Sequence, residues 1–81
     1  MDKENIMDLP IIDMAATGAH LNTLFTTHGF SVIAIKNYLG LNTTNAIYKW
    51  LHGESIPSID NLLALSILFN TNINELLVYR N

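Results

Sequence analysis

The side chains that could bind a metal, move a proton or attack an electrophile are three histidines and seven carboxylates, and there is no cysteine. His20, His28 and His52 never fall at i, i+3 or i, i+4, the spacings that set two metal ligands on one helix face, and no carboxylate stands at a matching position. Scattered surface histidines are the simpler account. Most of the carboxylates lie in the first fourteen residues or at helix starts, where capping and the helix dipole explain them. No glycine-rich phosphate loop, nucleophile elbow or Ser-His-Asp set occurs. A helical chain of this size also leaves little room for a ligand pocket. Neither an enzyme, a metal, a cofactor nor a small-molecule ligand is therefore expected. The remaining chemistry is that of uncharged polar side chains, such as those between Asn42 and Ser55.

These residues need an element to hold them, and the stretch from Gly29 to Ser58 supplies it. It contains two short amphipathic segments, each ended by a glycine and joined by one tight connection. This is the pattern of a helix-turn-helix, whose second helix is built to lie against DNA. A helix before it is expected from Thr17 as N-cap to about His28, with Leu21, Leu24 and Phe25 on one face and Gly29 as the left-handed end. The second helix starts on the cap Ser31 and ends before Gly40, turning Ile35, Tyr38 and Leu39 inward. The third is capped by Asn42 or Thr43 and runs to about His52, with Ile47, Trp50 and Leu51 inward and Gly53 ending it. Trp50 invites a base-stacking role, but its i+3 relation to Ile47 makes a partial core residue closing the third helix the expected reading. Ser58, after Pro57, opens a fourth helix to Phe69, with Ile59, Leu62, Leu63 and Ser66 on one stripe and Asn70 able to hold a left-handed turn. Asn72 and Glu75 have capping-box spacing, opening a short fifth helix through Leu76, Leu77 and Tyr79. No stretch alternates as a strand does. The fold class is all-α, with five helices.

Composition bounds the partners. The 81 residues fit one small domain; 49% are apolar and only 14% charged, against a usual quarter or so. No apolar run reaches membrane-span length and no signal pattern opens the chain, so a cytoplasmic protein, nucleoid-associated when on DNA, is expected. The net charge of -3 comes wholly from Asp2, Glu4, Asp8 and Asp13 against Lys3. Residues 1–16 therefore read as an acidic N-terminal arm whose end is expected to pack on a neutral domain spanning residues 17–81, with binding to a partner as the alternative use of its apolar residues. A neutral domain forfeits most of the counterion-release term that drives non-specific DNA binding.

With the helices placed, the chain resembles the lambda-repressor-like helix-turn-helix family, the Cro and xenobiotic-response-element type. The resemblance runs from about Thr17 to Val78. It rests on Gly29, Phe30-Ser31, Leu39-Gly40-Leu41, Ala46-Ile47-Tyr48-Lys49-Trp50, Gly53-Glu54-Ser55-Ile56-Pro57-Ser58, Leu62-Leu63-Ala64-Leu65 and Asn74-Glu75-Leu76-Leu77 in order and spacing. Any five of these residues would be a weak signal; the ordered set is a specific one.

The resemblance implies a bacterial, phage or mobile-element regulator, a repressor in the commonest case, that binds double-stranded DNA as a homodimer on a short palindromic operator. The third helix would lie in the major groove, with Thr43, Thr44, Asn45, Tyr48 and Lys49 as candidate contacts. Asn45 suits adenine, Lys49 guanine or phosphate, and the hydroxyls a phosphate, base edge or thymine methyl. His52 and Ser55 would lie near the backbone, and Ser31 would present the first-turn N–H groups of the second helix to a phosphate. The chain departs from the family in its longer connection before the third helix and in Lys36, where a small alanine is usual. Lys36 is either a snorkelling surface lysine or a phosphate contact. Asn22, Thr23, Thr26 and Thr27 stand where the first helix commonly carries cations, Val32 replaces a polar residue, and Ala64 and Ile67 occupy usually polar positions. Ile67 with Ala64, and Val32 with Ile33, are then the exposed apolar candidates. A homodimer contact through the fourth and fifth helices, with Tyr79, would use the first pair. A second function fits the same fold: a protein-interaction module, antitoxin-like, phage inhibitor or adaptor, with DNA binding weakened or lost.

Overall fold

The computed structural model describes residues 9–80. Its elements are β1 (Ile11–Ile12), α1 (Met14–Thr27), α2 (Val32–Leu39), α3 (Asn45–Leu51), α4 (Ile59–Leu68), α5 (Ile73–Leu76) and β2 (Tyr79–Arg80). The five expected helices are present, with one addition at the chain ends.

Helix α1 starts at Met14, four residues before the Gly18 start that a Thr17 cap implies. Asp13 is the N-cap, its carboxylate accepting the Ala16 N–H at 2.9 Å. Thr17, expected as the cap, is buried inside the helix. Its hydroxyl accepts the Val78 N–H at 2.9 Å and donates to the Val78 carbonyl at 3.2 Å. Two capping residues four apart compete for one helix start, and this long-range pair of bonds decides between them. Thr17→Val should therefore destabilise by about 1–2 kcal/mol, because it leaves the Val78 N–H without its partner at unchanged side-chain volume. Urea denaturation of the variant reads this directly.

The same clasp aligns a small ribbon. Ile11 pairs with Arg80 and Ile12 with Tyr79 in an antiparallel register, and Asp13 N–H donates to the Val78 carbonyl at 2.8 Å. Residues 11–13 thus lie beside residues 78–80. No strand was legible because two-residue strands are too short to alternate. Nor does the fifth helix reach Tyr79: it stops at Leu76, Leu77 is extended, and the Asn72 side chain makes no capping bond. His20 closes this end, its Nε2–H donating to the Glu75 carbonyl at 2.7 Å.

Helix α2 forms as its sequence dictates. The Ser31 hydroxyl accepts the Ala34 N–H, and Gly40 ends the helix in the left-handed region at φ 71°. Its inner face is narrower than expected, because Tyr38 is exposed and donates its hydroxyl proton to the Ala64 carbonyl at 2.7 Å. Helix α3 starts after Thr44, and the Thr43 hydroxyl accepts the Asn45 N–H at 3.3 Å. Neither Asn42 nor Thr43 is therefore the N-cap residue proper.

Helix α4 is capped by Ser58 as expected, but its buried face is Leu62, Leu65 and Ser66. Ile59 and Leu63, expected inside, point outward. The helix is apolar on nearly every side, so periodicity alone could not set its rotation. The core joins Leu21 and Phe25 of α1, Ile35 of α2, Ile47 and Trp50 of α3, Leu62 and Leu65 of α4, Phe69 and Leu76. Phe25 and Phe69 stack with centroids 5.9 Å apart.

Candidate nucleic-acid interface

Helix α3 is held from behind by a close backbone approach. Gly18 of α1 faces the carbonyls of Trp50 and Leu51 so closely that a β-carbon there would overlap both. One turn earlier on α1, Ala15 lies against Gly53, which ends α3 at φ 75°, and a β-carbon on Gly53 would come within 2.8 Å of the Ala15 Cα. Ile47 and Trp50 complete the anchorage, 0% and 4% exposed. Trp50 is thus a core residue. The sequence reasoning passed over Gly18, although a glycine inside a helix, where alanine is favoured, was the available signal.

With Ile47 and Trp50 inward, the phase of α3 is set. Asn45, Tyr48, Lys49 and His52 follow one another at i, i+3, i+4 and i+7 and are all exposed. The Tyr48 and His52 rings sit 6.1 Å apart, tilted at 32° to one another. Thr43 is exposed at the start of the helix, while Thr44 is half-buried. Ser55 is half-buried past the end of α3, its N–H donating to the Lys49 carbonyl at 3.4 Å. The structure therefore presents Thr43, Asn45, Tyr48, Lys49 and His52 openly and covers part of Thr44 and Ser55.

Two expected contacts lie on α2. Ser31 is exposed at its first turn, and with its hydroxyl on Ala34 the N–H groups of Val32 and Ile33 are left for an outside acceptor. Lys36 is half-buried in the last turn, where the helix dipole favours a cation. The connection to α3 runs from Gly40 to Thr44.

Electrostatics are sparse. Among the described residues the cations are Lys36, Lys49 and Arg80, against Asp13, Glu54, Asp60 and Glu75. The face of α3 combines amide, hydroxyl and imidazole groups with one permanent charge. It is equipped for directional hydrogen bonding more than for electrostatic attraction. The other histidines have partners of their own: His20 is bound to Glu75, and His28 Nδ1–H donates to the Leu24 carbonyl at 2.9 Å. No group of three or more metal-ligating side chains occurs among the described residues. A cleft of about 360 Å³, lined by Pro10, Ile12, Asn74, Leu77 and Tyr79, lies by the ribbon and α5. None of the expected recognition residues lines it. No helix of the described residues is long and apolar enough to cross a membrane.

Two solved structures share this arrangement. The restriction-modification controller protein C.AhdI from Aeromonas hydrophila superposes with a TM-score of 0.68 at 25% identity, over 79% of this chain and 96% of that one. The chain has a helix-turn-helix fold. The DNA-binding domain of BldD superposes with a TM-score of 0.65 over 96% of this chain and all of that one, and at 18% identity it shows the fold alone. No family model matches the chain, and no curated protein matches it in sequence.

Proposed function

We propose that this protein is a transcriptional regulator that binds double-stranded DNA through α3, as a repressor, in the form of a two-fold dimer on a short palindrome. The observation that carries the proposal is the outward row Asn45, Tyr48, Lys49 and His52 on a helix whose opposite side is locked into the core by Ile47 and Trp50. A rigid helix with polar side chains at one-turn spacing is what direct reading of base edges in the major groove requires. The helix-turn-helix fold and the likeness to a controller protein support it. Ser31 and Lys36 then serve the phosphate backbone and set the register, Asn45 supplies a base contact, and Lys49 reaches guanine or phosphate.

Low charge gives this proposal a distinctive signature. Each phosphate neutralised contributes about -0.9 to the slope of log affinity against log salt. A dimer using only Lys36 and Lys49 from each protomer should show a slope of about -4, shallow for a DNA-binding protein. Fluorescence anisotropy on the DNA upstream of its own coding region, beside a scrambled duplex and across a salt series, tests this. Preference for the native duplex that persists at moderate salt supports the proposal. Weak binding that is equal on both duplexes and vanishes with salt sinks it, and the protein-interaction module becomes the better account.

A further inference from the structure

The three histidines have different surroundings. His20 and His28 each donate a ring N–H to a backbone carbonyl, those of Glu75 and Leu24. His28 is also packed among aromatic rings, with Phe30 at 6.5 Å and Phe69 at 4.8 Å. His52 is placed otherwise. It is the C-terminal cap of α3, exposed, and seven residues beyond Asn45 on the same face. Its ring lies 6.1 Å from that of Tyr48 and is not tied to a backbone carbonyl as the other two are. Seven residues span about 10 Å of helix. A recognition helix reads base edges with its N-terminal residues, so its far end stands at the sugar-phosphate wall of the groove.

We infer that His52 is a proton-dependent phosphate contact, so that DNA binding by this protein tightens as pH falls. The inference rests on the DNA-binding proposal above and gives that same site a regulation. Imidazole is the side chain whose ordinary charge change lies between pH 5 and 8, and the chain has no cysteine. A neutral imidazole offers a phosphate one N–H. A protonated one has two, together with a positive charge. Charge-assisted hydrogen bonds of this kind are roughly twice as strong as neutral ones.

Sparse charge is what makes one proton matter. Lys49 is the only permanent cation on α3, so a proton on His52 doubles the positive charge of the helix. The described residues carry Lys36, Lys49 and Arg80 against Asp13, Glu54, Asp60 and Glu75, and one proton brings them into balance. Helix α1 meets the end of α3 with Ala15 and Gly18, neither of which titrates. Its ionisable groups are engaged elsewhere: Asp13 accepts the Ala16 N–H, and His20 and His28 hold their carbonyls. Lys36 and Tyr38 belong to α2, Asp60 to α4 and Glu75 to α5, and the Tyr38 hydroxyl donates to the Ala64 carbonyl. Along the chain the ionisable neighbours of His52 are Tyr48, Lys49 and Glu54. A phosphate contact carries no sequence information. Acidification should therefore raise affinity for operator and unrelated DNA by the same factor.

Fluorescence anisotropy of the full chain on the native upstream duplex and on a scrambled one, between about pH 8 and about pH 5.5 and across a salt series, tests this. Wild-type affinity for both duplexes should rise on the order of tenfold, within the limit of about tenfold per pH unit that one proton per protomer allows. The salt slope should steepen by about 0.9 for each protomer. His52→Gln should lose both responses, and His52→Lys should show the steeper slope already at the upper pH. His20→Gln and His28→Gln, checked for folding by circular dichroism, should respond to pH as the wild type does. Wild-type binding that ignores pH overturns the inference, and so does a folded His52→Gln that keeps the response. Both results leave α3 as the reading helix. If the native duplex is preferred at no pH, the DNA-binding proposal itself fails and the inference falls with it.

Discussion

Replacing Gly18 with alanine is expected to lower stability by about 3 kcal/mol, at the upper end of the range for overpacking a tight contact. The sign is the informative part. At an ordinary position inside a helix the same change stabilises by about 1 kcal/mol, because alanine restricts the unfolded chain and favours helical backbone. Here the new β-carbon would overlap the Trp50 carbonyl and lie 2.7 Å from the Leu51 carbonyl oxygen. Both obstacles are backbone, so no rotamer change relieves them, and α1 and α3 must separate. Separation draws Trp50 and Ile47 out of the core and tilts the row that begins at Asn45. Urea denaturation should therefore show a loss that is large against the usual 5–15 kcal/mol of domain stability. DNA affinity should fall as well, although Gly18 is buried and lies behind the helix. Gly29→Ala is the useful contrast. Its φ of 75° imposes backbone strain, but a β-carbon there meets nothing within 4 Å, so a cost of about 1 kcal/mol and undisturbed DNA binding are expected. A neutral or stabilising Gly18→Ala would mean that α1 does not rest on the backbone of α3.

The two glycines also mark where sequence stops being legible. Gly29, Gly40 and Gly53 all have positive φ and end helices where the sequence placed the ends. Such stop signals are local, as are the Ser31 and Ser58 caps. What sets Gly18 apart is a carbonyl in another helix, and nothing in its neighbours reveals that. The same division explains the errors. Asp13 and Thr17 are both capable caps, and the choice falls to a bond between Thr17 and Val78, 61 residues away. The ribbon pairs Ile11 with Arg80 across almost the whole described chain. Helix α4 offers apolar residues to every direction, so only the packed neighbours decide that Leu65 goes in and Leu63 stays out. On α3 the phase was legible because Ile47 and Trp50 are large and apolar at i, i+3, while Asn45, Lys49 and His52 leave no competing apolar face. The row of candidate contacts could thus be named in advance, and the backbone contact that holds it could not.

Asn45→Ala and Lys49→Ala should both weaken operator binding by about 1–3 kcal/mol, roughly fivefold to 150-fold, yet in ways that a salt series separates. Asn45 carries no charge, and its amide can donate and accept at once, which matches the major-groove edge of adenine. Its loss should reduce affinity for the native duplex while leaving the scrambled duplex and the salt slope unchanged. Lys49 stands one residue past Tyr48 on the same exposed face and carries the only permanent cation on α3. If its ammonium rests on phosphate, its removal should weaken both duplexes alike and make the salt slope shallower by about 1 for each protomer. If it bonds guanine, the loss should concentrate on the native duplex, as for Asn45. Because so few cations serve this surface, each carries an unusually large share of the electrostatic term, and removing one should be plainly visible in the slope. The double variant should bind the two duplexes equally. A double variant that still prefers the native duplex would exclude α3 as the reading helix.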